Sequence, residues 1–109
     1  MKDYENFCKW LEVLGFVKQD NPFILSWGNP QPHVWKHSIG GLLILTREDN
    51  DKIKIAIGNG YEASYTYKEA EHMILSISYV KLHKLRVNYG SKVEEINSWF
   101  DEHFADLTK

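Results

Sequence analysis

The chain has 109 residues, 43% of them hydrophobic and 26% charged, with a net charge of −2. Its length bounds it to a single domain over 1–109, since one core commonly occupies about 100–150 residues, and its composition excludes a disordered chain. The near-neutral balance excludes the global basic excess through which nucleic-acid binders commonly gain affinity.

Cys8 is the only cysteine, so no intramolecular disulfide can form. The start, MKDYENFCKW, shows neither a basic stretch nor an apolar run of the signal-peptide kind. The longest aliphatic run, Leu42–Leu45, is far short of the roughly 20 residues a membrane span needs. The expectation is a soluble, cytoplasmic protein without membrane contact.

A first helix is expected from about Tyr4 to Leu14. Asp3 stands at its cap, and Tyr4, Phe7, Cys8, Leu11 and Leu14 recur at helical spacing. Gly15 suits the position after the helix, where positive φ is common. Phe23–Trp27 reads as a short strand, and Gly28–Pro32 as a loop punctuated by two prolines. His33–Ile39 is β-like; Gly40-Gly41 then allows a bend or bulge before Leu42–Arg47, so the two stretches are one long bent strand or two short ones. The acidic turn Glu48–Asp51 pairs that strand with Lys52–Ile57, whose isoleucines alternate with Lys52, Lys54 and Ala56. Tyr61, Ala63, Tyr65 and Tyr67 alternate and suggest another short strand. Thr66 with Glu69 forms a T-x-x-E capping box opening a helix. That helix runs to about Leu82, with Leu85–Tyr89 open between strand and helix. Ser91 with Glu94 is a second capping box, before a last amphipathic helix carrying Ile96, Trp99, Phe100, His103, Phe104 and Leu107. The fold class is α+β: an N-terminal helix, an antiparallel sheet of three to five strands, and one or two C-terminal helices packed on it.

Several motifs have the letters of chemistry without its context. Gly58-x-Gly60-x-x-Ala63 matches a dinucleotide fingerprint, but the helix cap comes late, at Thr66, and no acid stands about 20 residues on. A connecting turn is the expected reading. His33 and His37, four strand residues apart, lie roughly 13 Å from each other, beyond what one zinc ion bridges at bonds near 2 Å. Glu69-x-x-His72 is half of a di-iron pair with no second half. Cys8 and His103 lie on apolar helix faces and read as core or boundary residues. No nucleophile, base and orienting group assemble, so no catalytic residue, metal ligand or cofactor is expected.

Fifteen aromatic residues, four of them Trp, six Tyr and five Phe, are many for a domain of this size. Phe7, Phe16, Phe23, Trp99, Phe100 and Phe104 belong to apolar faces. Trp35, flanked by His33 and His37, and the row Tyr61, Tyr65 and Tyr67 are the candidate interface, since Trp and Tyr bury much area with few rotatable bonds. A second charged group, Lys81, Lys84, Arg86 and Lys92, is uninterrupted by acids and forms the candidate nucleic-acid patch.

The order α-β-β-β-α over about Asp3–Leu82 resembles that of double-stranded-RNA-binding domains. The resemblance implies a lysine cluster at the start of the second helix. Here that stretch reads Tyr67, Lys68, Glu69, Ala70, Glu71, one base against two acids. The expected function is therefore a non-enzymatic small binding protein acting on another protein or protein complex, as an inhibitor of a larger machine, with homodimerisation compatible. The alternative is a nucleic-acid-binding module of degenerate double-stranded-RNA-binding topology.

Overall fold

The computed structural model describes residues 2–20, 32–58, 60–90 and 92–103. Helix α1 (Lys2–Leu14) buries Tyr4, Phe7, Leu11 and Leu14 along one stripe, the i, i+3, i+4 spacing that an amphipathic helix turns toward a core. Gly15 ends it with φ +106°, and a Cβ there would lie 3.1 Å from His37 Nε2. Both the backbone angle and the close approach call for glycine. The chain then enters β1 (Phe16–Gln19), a strand too short for periodicity to announce.

Strands β2 (His33–His37), β3 (Leu43–Asp49), β4 (Lys52–Ile57) and β5 (Ala63–Tyr65) follow. All neighbours pair antiparallel in the order β1-β2-β3-β4-β5. Of the two readings left open, one bent strand or two short ones, the second holds: Gly40-Gly41 separates β2 from β3, with Gly41 at φ +70°. The resemblance to the α-β-β-β-α order does not survive, because five strands in a simple meander stand where three were implied.

Side chains alternate across a strand, and cross-strand partners share a face. Phe16, His37, Trp35, Ile44, Thr46, Ile57, Ile55, Ile53 and Tyr65 therefore make one face, linked row by row through the register. Helix α2 (Tyr67–Lys84) packs there beside α1. Thr66 caps it as expected: Thr66 Oγ1 accepts from the Glu69 amide, and the Glu69 carboxylate accepts from the Thr66 amide. Its buried line is Ala70, Ile74, Ser78 and Leu82.

Leu85–Tyr89, open in the sequence, is neither strand nor α-helix but a π-helical turn ending at Gly90, φ +61°. Helix α3 (Val93–His103) returns and buries Ile96 and Trp99. The architecture is α+β: an N-terminal helix, a five-stranded antiparallel sheet and C-terminal helices on one face. The strand expected at Phe23–Trp27, the cap at Ser91 and the apolar positions Phe104 and Leu107 lie outside the described residues. Among the described residues, no helix is long and apolar enough to cross a membrane.

Candidate functional site

The inner face of β2 presents His33, Trp35 and His37 in alternation, and the structure sends the two histidines to different clusters. At one end, the Tyr4 hydroxyl lies 2.8 Å from His33 Nδ1, 3.0 Å from Thr46 Oγ1 and 3.2 Å from the Thr46 carbonyl. The Trp35 indole N–H donates to Thr46 Oγ1 at 2.9 Å. Thr46 Oγ1 thereby accepts from Trp35, and the Tyr4 hydroxyl shares one network with Thr46 Oγ1, the Thr46 carbonyl and His33 Nδ1. Burial pushes the Tyr4 phenol far above its ordinary range and lowers His33, with Lys18 adding to the second effect. Cys8 sits beside Tyr4, half-buried; burial raises its thiol as well, the opposite of what an activated nucleophile needs.

At the other end, His37 donates from Nε2 to the Leu14 carbonyl at 2.8 Å and accepts at Nδ1 from the Ile39 amide at 3.2 Å. The same Leu14 carbonyl accepts from the Trp99 indole at 2.6 Å. Phe16 and Trp99 meet the imidazole nearly at right angles, with centroids 4.8 and 5.9 Å away. Helix α1 leaves its last carbonyls without helical partners, and two aromatic N–H groups from distant elements satisfy one of them.

These placements correct the interface expected from the sequence. Trp35, only 1% exposed, and His37, at 2%, belong to the interior, because the register puts both on the helix-covered face. His33 is half-buried and bonded to Tyr4. Tyr67 is also half-buried, edge-on to Phe7 with centroids 6.0 Å apart, and Tyr65 packs at the core margin. Of the six residues, Tyr61 alone is fully exposed. Two members of the basic group are engaged within the fold. Arg86 bonds Asn97 at 2.8 Å, approaches His83 at 3.2 Å and lies 4.7 Å over the Phe100 ring, tying the π-helical turn to α3. Lys92 reaches the Ile39 carbonyl at 3.3 Å. Lys81 and Lys84 remain exposed on α2.

The opposite sheet face, which the aromatic argument overlooked, also exposes apolar side chains, as do Val13 of α1, Val80 of α2 and Val87 of the π-helical turn. Val17, Lys36 and Leu43 form one row; Gln19, Val34, Leu45 and Ala56 form the next. Among the described residues, no helix lies on this face. Val17 is 54% and Leu43 42% exposed. Arg47, paired with Glu62 at 2.6 Å, and Lys54, 3.8 Å from the same carboxylate, border the band. The signal was legible in Leu42–Leu45: apolar residues at both parities of a strand mean that both faces are apolar.

Gly58 and Gly60 belong to the connection between β4 and β5, with the Gly60 amide on the Ile57 carbonyl at 2.8 Å. Glu69 is occupied in its cap. No group of three or more His, Cys, Asp or Glu side chains is placed to hold a metal among the described residues. Comparison with protein-family models, with curated proteins and with solved structures finds no match to this chain.

Proposed function

We propose that this protein is a non-enzymatic binding protein that docks on another protein through the outer face of its sheet. The observation that carries the reading is the pair of exposed apolar side chains Val17 and Leu43, beside half-buried Val34 and Leu45, on a face no described helix covers. A sheet face with apolar side chains normally packs against something, and exposed apolar side chains among charged ones suit an interaction site. The chemistry-bearing side chains support the same reading from the other direction. Tyr4, His33, Thr46, Trp35 and His37 direct their polar atoms to one another or to backbone groups, an arrangement that holds a fold together.

The test uses the chain as bait, identifies a stoichiometric partner and measures its affinity for Leu43→Asp and Val17→Asp. Loss of about tenfold or more in each is expected, with the fold unchanged by circular dichroism. Wild-type affinity in both variants would reject the outer face as the docking surface.

A further inference from the structure

His37 differs from the other buried polar groups in one respect: both of its ring nitrogens are bonded to main-chain groups of fixed polarity. The Leu14 carbonyl can only accept, so Nε2 must carry a proton; the Ile39 amide can only donate, so Nδ1 must not. The geometry therefore admits one form, the neutral imidazole protonated at Nε2. His33 is not so constrained. Its partner is the Tyr4 hydroxyl, which can reverse its direction and give its proton to the Thr46 carbonyl instead.

Among the described residues, the surroundings of His37 give a second proton no carboxylate. Leu14 and Gly15 face it from the end of α1, and Phe16 from β1. Lys36 and Ser38 flank it in sequence, and the Lys92 ammonium sits on the Ile39 carbonyl. The Lys81 stem lies against Gly40 from α2. From α3 come Trp99 and, with the same sign of charge when protonated, His103. The Glu102 carboxylate lies 3.7 Å from His103 Nε2 and is largely exposed. Buried imidazolium without an anionic partner is strongly disfavoured.

We propose that His37 is a proton-operated latch for α3: the neutral ring holds the helix against the end of α1, and protonation releases it. Neutral His37 shares the Leu14 carbonyl with Trp99 and packs against the Trp99 ring. A proton on Nδ1 sets two N–H groups against each other at the Ile39 amide. The ring must then leave its place, and Trp99 loses the surface on which it is seated. Helix α3 is the element placed to respond, because Trp99, one of its buried residues, rests on the His37 ring, while Asn97 and Phe100 meet Arg86 of the π-helical turn and Phe100 also meets Tyr79 of α2. The device is independent of the docking face, which lies on the other side of the sheet.

Hydrogen exchange read peptide by peptide, corrected for intrinsic rates, tests it between about pH 7.5 and about pH 5.5. Wild type is expected to lose protection in α3 by about tenfold or more relative to β4. His37→Gln, whose amide can donate to Leu14 and accept from Ile39 while staying neutral, is expected to keep α3 protected at both pH values. His103→Gln is expected to retain the loss. Equal loss in His37→Gln, or a uniform loss across the chain, overturns the proposal. A measurement on the unaltered chain stands beside these variants: the Trp99 indole N–H resonance should move with the midpoint of the His37 ring. An indole signal that ignores the His37 titration, or follows His103 instead, also overturns it.

Discussion

At the scale of single residues, stability here depends on polar atoms that share partners inside the core. Thr46 is the hub of one set: its hydroxyl accepts from Trp35 and meets Tyr4, and its side chain is fully buried. Thr46→Val keeps the shape and strips both partners at once, leaving a buried indole N–H without an acceptor. A loss of about 2–3 kcal/mol is expected, read as a lower urea midpoint with unchanged slope. Tyr4→Phe removes a hydroxyl whose neighbours can partly satisfy one another, and about 1 kcal/mol is expected. The histidines add a pH dependence of definite sign. His33, His37 and His103 are all lowered from the ordinary 6.5, in each case chiefly by burial. The unfolded chain therefore binds protons that the folded chain refuses. Stability is full above pH 6.5 and declines as pH falls from there through the lowered folded values. Urea midpoints taken at about pH 7.5 and about pH 5.5 should fall with acidification; a midpoint that rises would contradict the assignment of these rings as neutral.

At the scale of elements, the caps and turns are where local chemistry decides. Thr66→Ala removes the hydroxyl that accepts from the Glu69 amide at the start of α2, and about 1 kcal/mol of destabilisation is expected. Thr66→Ser, which restores the acceptor, should recover most of it in the same denaturation series. The same locality explains which elements could be read from residues alone. The β3–β4 hairpin was announced by the alternating isoleucines of Lys52–Ile57 and the turn before them, and α2 by its T-x-x-E box, because these signals sit within a few residues of what they specify. Strand β1 had no such signal: four residues, Phe16–Gln19, are too few for a period, and the strand exists because it pairs with β2. The π-helical turn at Leu85–Tyr89 was ambiguous for a related reason. Its alternation resembles a strand, while its conformation continues α2 and is tied through Arg86 to Asn97, eleven residues away. The candidate site was less legible than the fold. Trp35 looked like an interface residue because histidines and a lysine surround it in sequence, yet the pleat turns Lys36 outward and Trp35 inward, where its indole finds Thr46.

At the scale of the whole molecule, the sheet has two unequal faces, and adjacent residues of β3 report on them separately. Ile44 points into the helix-covered core and is completely buried, whereas Leu43, its neighbour in the chain, lies on the face bare of described helices and is 42% exposed. The two residues have the same atoms in a different branching, so truncating each to alanine compares the faces with chemistry nearly constant. Ile44→Ala leaves a cavity bounded by helix and sheet and should cost about 2–4 kcal/mol. Leu43→Ala removes methyl groups that water already reaches in part and should cost under about 1 kcal/mol. Urea denaturation of the two variants measures the difference directly. The reading of the outer face as a surface kept for a partner depends on that asymmetry. Were Leu43→Ala to cost as much as Ile44→Ala, Leu43 would be part of the stability of the isolated chain, and the apolar band would lose its claim to be spare surface. A small cost for Leu43, together with weakened partner binding, would mean that the leucine is retained for a contact made outside the chain rather than for the fold.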